Sequence, residues 1–126
     1  MGNEPSGLRK RFARLVAPQH QVHAEQEREE SARLGGTPID QLTMRQPAMV
    51  CGTLRSVTLR PRGGVPALVA ELYDGTGSVS VVWLGRRQIS GIECGRRLRV
   101  KGLVTEVNDQ RVIYNPRYEL VATNGC

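Results

Sequence analysis

Three cationic side chains, Arg97, Arg99 and Lys101, alternate along the chain with Leu98, Val100 and Gly102. In an extended strand, period two puts the charges on one face and the apolar residues on the other. A stripe of this kind can follow a phosphate backbone, releasing condensed counterions as phosphates are neutralised. It equally suits a solvated strand face that resists edge-to-edge pairing. The protein carries 18 basic and 12 acidic side chains, for a net charge of +6. Sixteen of the basic residues are arginine, whose planar fork matches phosphate and whose face can stack on bases. A GC-rich genome would produce the same arginine bias. It would not explain the distribution: residues 1–46 hold seven basic and six acidic side chains, and residues 47–126 hold eleven and six. The positive excess therefore belongs to the part of the chain that reads as β-strand.

Other chemistry is hard to assemble. No Ser/His/Asp or Cys/His set is suggested, both histidines precede the strands, and a GxxxxGK[ST] phosphate cradle is absent. Glu71, Asp74, Glu106 and Asp109 read as turn and surface residues. His20 and His23 have metal-compatible spacing but lack a third ligand, so a solvent-exposed pair is expected. Cys51, Cys94 and Cys126 have no metal-like spacing, and their odd number fits a reducing compartment without a disulfide framework. The first six residues formally fit an acylation pattern, which we treat as coincidence. There is no apolar run approaching the ~20 residues of a membrane span and no secretory leader pattern. The expectation is a cytoplasmic, non-enzymatic protein with no cofactor, no metal and no membrane partner.

The elements that would position the basic residues divide in two. Residues 1–36 read as a helical N-terminal arm. Leu8, Phe12 and Leu15 recur at helical spacing after a capping Ser6, and Pro18 interrupts the pattern. A second helix is expected over about 23–34, rich in glutamate, with a thin apolar stripe and ended by Gly35-Gly36. Strands are expected over 48–59, 66–73, 78–84, 97–107 and 111–121. Asp74-Gly75-Thr76-Gly77 turns the second into the third. Residues 85–95 form a longer connection, and Asn108-Asp109 turns the fourth strand into the fifth. Gly52 and Gly102 would kink strands one and four around a small barrel. Trp83, in phase with Val79 and Val81, belongs to the core, whereas Tyr73 falls out of phase with Leu72 and is the best candidate for an exposed ring.

Val50-x-Gly52-x-Leu54, Leu72-x-Asp74-Gly75-Thr76-Gly77, Val79-x-Val81-x-Trp83, Gly95-x-x-Leu98-x-Val100-x-Gly102 and Asn115-Pro116-x-Tyr118-Glu119-Leu120 together resemble the OB-fold nucleic-acid-binding family. The pattern is similar to the wedge module of branched-DNA helicases, to the anticodon-binding module of class II synthetases and to small stand-alone actinobacterial OB proteins. The resemblance covers about residues 37–122, leaving 1–36 as the arm and 123–126 as a tail. It implies an all-β core, a five-stranded Greek-key OB-fold barrel with an N-terminal α-helical arm. It also implies a ligand lying across strands two and three between the loops that join strands one to two and four to five. Arg60 and Arg62 would then meet phosphates at the groove edge, Arg97, Arg99 and Lys101 would track the backbone, and Tyr73 would stack. The function implied is binding of single-stranded or branched nucleic acid, DNA in the first instance and RNA as a further possibility. The alternative is a protein-interaction or homo-oligomerisation module using the barrel and the amphipathic arm. Five aromatics in 126 residues favour the second reading, and the basic barrel favours the first.

Overall fold

A computed structural model of the protein describes residues 18–121. The expected helix at Leu8–Val16, the C-terminal tail and Cys126 lie outside the described residues. The elements are helix α1 (Pro18–Arg33), a single 3-10 turn (Ile39–Gln41), and strands β1 (Pro47–Leu59), β2 (Ala67–Tyr73), β3 (Ser78–Leu84), β4 (Arg97–Val107), β5 (Gln110–Tyr114) and β6 (Arg117–Leu120).

The strands close into a ring. β1 pairs antiparallel with β2, β2 with β3, β3 runs parallel to β5, β5 pairs with β4, and β4 returns to β1. Closure leaves the five ring strands without a free edge, the arrangement the resemblance implied. β1 serves two neighbours: residues 47–53 pair with β4, and residues 53–59 pair with β2. The interior is built by alternation. Leu54, Leu68, Leu72, Val79, Val81, Leu98, Val100, Val104 and Ile113 point inward and are sealed from water. Trp83 joins them, as its phase predicts, and its ring meets Tyr118 edge to face at 5.7 Å. Ile89 and Ile92, from the β3–β4 connection, belong to the same core; that connection is a series of turns with no helix.

Two expectations need correction. Gly52 and Gly102 carry no bulge, because the register of β1 with β4 runs unbroken through both. Their small size serves close packing instead. A Cβ at Gly52 would lie 2.5 Å from the Tyr73 carbonyl oxygen, and one at Gly102 would lie 2.8 Å from Ile113 Cγ2. The irregularity in β1 falls between Leu54 and Ser56, making Arg55 the extra residue of a bulge. Past the bulge the phase reverses: Val57 and Leu59 now face the way Leu54 did, and Ser56 and Thr58 face outward. The fifth strand is broken into β5 and β6, because Asn115 takes a positive φ of 50° and Pro116 has no N–H to give a ladder. The Asn115 side chain closes the break by accepting the Leu84 N–H at 2.9 Å.

Helix α1 covers Pro18–Arg33 among the described residues. It is docked by polar contacts rather than by an apolar stripe. Glu27 accepts two bonds from the Arg97 guanidinium, at 2.8 and 3.1 Å, and one from Thr53 Oγ1 at 2.9 Å. Ser31 is buried and donates to the same carboxylate. The β2–β3 turn packs on the helix so closely that a side chain at Gly75 would run into the Ala24 carbonyl. That turn is held by Asp74, buried to 3 % exposure. Its Oδ1 accepts from Thr76 N, Thr76 Oγ1 and Gly77 N, and its Oδ2 accepts from Ile39 N at 2.9 Å. One carboxylate thus ties the hairpin to the segment linking arm and barrel.

Candidate nucleic-acid interface

The bulge at Arg55 decides which side chains reach the outside of the β1–β2–β3 wall. Ser56 stands opposite Glu71, and Glu71 opposite Ser80, so one polar row crosses three strands. Thr58, Val69 and Val82 form the next row, which continues to Tyr114 on β5. On the same outer face Ala67, Val82 and Val112 make a small second core, with Val69 and Tyr114 packed on it. Ser56, Thr58, Val69, Glu71 and Ser80 line an open groove of about 520 Å³, together with Arg60 at the end of β1 and Asp109, Gln110 and Arg111 at the β4–β5 turn.

Both flanking loops are short and ordered by turn chemistry. Gly63 and Gly64 take positive φ, and Arg62 and Val65 exchange backbone hydrogen bonds at 2.8 and 2.9 Å, so the β1–β2 loop is itself a miniature hairpin. Asn108 and Asp109 both take positive φ in the β4–β5 turn, the backbone required of a two-residue type I′ hairpin. Arg62 leans from its loop toward the Tyr114 hydroxyl, 3.5 Å away. Arg60 and Arg111 have no ion-pair partner among the described residues, and Arg111 Nε is buried there without an acceptor.

Tyr73 sits at the end of the same outer face, opposite Thr53 and Ser78. It is half-buried, and the Arg55 guanidinium lies 3.5 Å from its ring centroid. The bulge residue therefore covers one face of the ring with a cation, a pairing worth about 0.5–1 kcal/mol at a surface.

The alternating stripe on β4 does not lie open as period two alone suggests. Its side chains do leave the barrel outward, but Glu27 of α1 takes the first, and Glu119 of β6 with the Leu34 carbonyl just past α1 takes the second. The Arg97 side chain is 16 % exposed and its partner Glu27 11 %. Arg99 reaches Glu119 Oε1 at 2.6 Å and the Leu34 carbonyl, at the end of α1, at 3.2 Å. Only Lys101 remains exposed. The expectation that all three face solvent fails because an acidic helix folds over the strand, and the acid that matters is 70 residues away in sequence. Cys51 lies under this cover beside Arg99. Burial pushes its thiol up, outweighing the opposite pull of the guanidinium.

Of the six residues singled out in the sequence, Arg60, Arg62 and Tyr73 thus border the β1–β2–β3 face, and Arg97, Arg99 and Lys101 lie on a separate stretch of wall. The sequence reading did not single out Ser56, Thr58, Ser80 or Arg55, took Glu71 only as a surface group, and had Arg111 only as part of the loop joining strands four and five. Counting by two back from Tyr73 finds Glu71 and Val69. Ser56 and Thr58 require the phase change, which the spacing of three between Leu54 and Val57 encodes. Among the described residues, no group of three His, Cys, Asp or Glu side chains could hold a metal, and no helix is long and apolar enough to cross a membrane.

No protein-family model and no curated protein matches the chain. Solved structures do. A RecG bound to a three-way DNA junction is similar with a TM-score of 0.54 and 21 % identity, over 71 % of this chain and 13 % of that one. A Replication Protein A heterotrimer bound to ssDNA is similar with a TM-score of 0.50 and 17 % identity, over 74 % of this chain and 79 % of that one. The protein has the OB fold of these domains.

Proposed function

We propose that the protein is a non-catalytic module that binds nucleic acid, single-stranded or branched DNA, along the outer face of β1, β2 and β3. The observation that carries this reading is the open groove itself. It is polar on its floor, rimmed by Arg60 and Arg111, with Arg62 and Tyr73 nearby, and it occupies the position where OB folds receive ligands. The two DNA-bound structural neighbours add weight through their fold. With one candidate ring, itself covered on one side by Arg55, affinity would come mainly from phosphates and would fall steeply with salt. Arg97 and Arg99, held by Glu27 and Glu119, would contribute little. A competing reading, a protein-interaction surface, draws support from Leu59, Val65 and Leu84, all exposed near the β1–β2 loop.

Fluorescence anisotropy with labelled single-stranded and three-way-junction DNA separates the readings. Binding at about 50 mM salt that weakens at least tenfold by about 200 mM is the expected result for a few phosphate contacts. No binding of either ligand at the lower salt would defeat the nucleic-acid reading.

A further inference from the structure

Glu71 stands in the middle of the groove, and a carboxylate is the wrong group for phosphate. It is half-buried at the centre of the row Ser56–Glu71–Ser80, with hydroxyl side chains on both neighbouring strands. Among the described residues nothing hydrogen-bonds or ion-pairs with it, whereas Glu27, Glu30, Asp74 and Glu119 all have partners. The groove's cations lie toward its ends, at Arg60 and in the β4–β5 turn, and not beside the acid in its row. A strand crossing this surface with a phosphate over Glu71 would meet repulsion. A strand that keeps its phosphates near the arginines has to turn a base edge toward Glu71 instead.

An ionised carboxylate only accepts hydrogen bonds, so the base it favours is the one that presents donors. Single-stranded bases expose their Watson–Crick edges to such contacts. Guanine offers two adjacent donors there, N1–H and the N2 amino group, which match the two carboxylate oxygens. Cytosine and adenine each offer one amino group next to a ring nitrogen acceptor that the carboxylate repels. Thymine and uracil offer one N–H between two carbonyls. Beside the carboxylate, a serine hydroxyl can donate to guanine O6, since a hydroxyl rotates to suit its partner.

We propose that Glu71, flanked by Ser56 and Ser80, makes the groove selective for guanine in single-stranded nucleic acid. This rests on the reading of the groove given above and assigns its base preference. A site built around an accepting pair discriminates, because a base without matching donors covers the half-buried carboxylate and leaves it unpaired.

The test is anisotropy at low salt with a labelled oligothymidine of about twelve nucleotides, the size one such barrel covers, with and without one central guanine. The expected result is about tenfold tighter binding of the guanine oligonucleotide, the scale of one bidentate base contact. Replacing that guanine by inosine, which lacks the N2 amino group, should remove most of the gain without altering the protein. The Glu71→Gln variant, isosteric and uncharged, should bind both oligonucleotides alike. Equal wild-type affinity for the two, or a guanine preference that survives in Glu71→Gln or with inosine, would overturn the assignment. Failure to bind either oligonucleotide would instead overturn the nucleic-acid reading beneath it.

Discussion

Two stretches of one barrel wall carry arginines, and they end in opposite states. On β4, Arg97 and Arg99 lie under helix α1, matched to Glu27, Glu119 and the Leu34 carbonyl. On the β1–β2–β3 wall, Arg60 and Arg111 flank an open groove and have no ion-pair partner among the described residues. The strand pattern alone favours the first stretch as a phosphate track, since its charges alternate without interruption. The fold favours the second. Alternation determines which way a side chain leaves a strand, and what covers it there depends on chain that is distant in sequence. The glutamate-rich helix, whose thin apolar stripe suggests loose docking, instead uses the Glu27 carboxylate to neutralise Arg97, while Glu119 of β6 takes Arg99.

Breaking the cover tests this contrast most severely. Asp74 satisfies four donors that join the β2–β3 turn to the linker after α1. Asp74→Ala leaves the buried Ile39 N–H and the part-buried donors of Thr76 and Gly77 unpaired, and should cost about 3 kcal/mol of stability, read from the midpoint of a urea denaturation curve. Glu27→Ala acts on the helix itself. It removes the two Arg97 bonds and the Thr53 bond, with an expected cost of about 2 kcal/mol. If the open groove is the binding site, the same variant should bind single-stranded DNA within about threefold of wild type, because it changes one charge on another stretch of wall. A much larger gain in affinity would mean that α1 masks the true site. The smallest effect concerns the two described thiols. Cys51 is buried under the arm with its thiol pushed up, so less of it is thiolate at mildly alkaline pH, and Cys94 is exposed. Cys94 should react with a thiol reagent first, and Cys51 should catch up in Glu27→Ala if the helix then opens.

The legible and illegible parts of this protein divide along the same line. β3 and β4 can be bounded from sequence to the residue, because their β-rich runs end at clear turn residues: Gly77 and Gly85 around β3, Gly95 and Asn108-Asp109 around β4. The Asp74 turn is equally plain, although its carboxylate reads as a surface group and turns out to be a buried anchor. Asn115-Pro116 marks the break between β5 and β6, since proline cannot donate to a ladder, but the apolar pattern around it reads as one strand over 111–121. The bulge at Arg55 is written only as a spacing of three, and it sets the groove by turning Ser56 and Thr58 outward. Long-range pairing leaves no local trace: nothing near Arg97 announces that Glu27 will occupy it. The outer face of β4 therefore reads as open in the sequence and is closed in the fold.

The central claim is that nucleic acid is met by the groove and not by the β4 stripe. Chemical-shift mapping of the isotope-labelled protein during titration with a short single-stranded DNA tests it directly. The account expects perturbations concentrated at Ser56, Thr58, Arg60, Glu71, Ser80 and Arg111, with α1 and residues 97–101 nearly still. Shifts concentrated at Arg97, Arg99 and Lys101, with α1 moving alongside them, would contradict it.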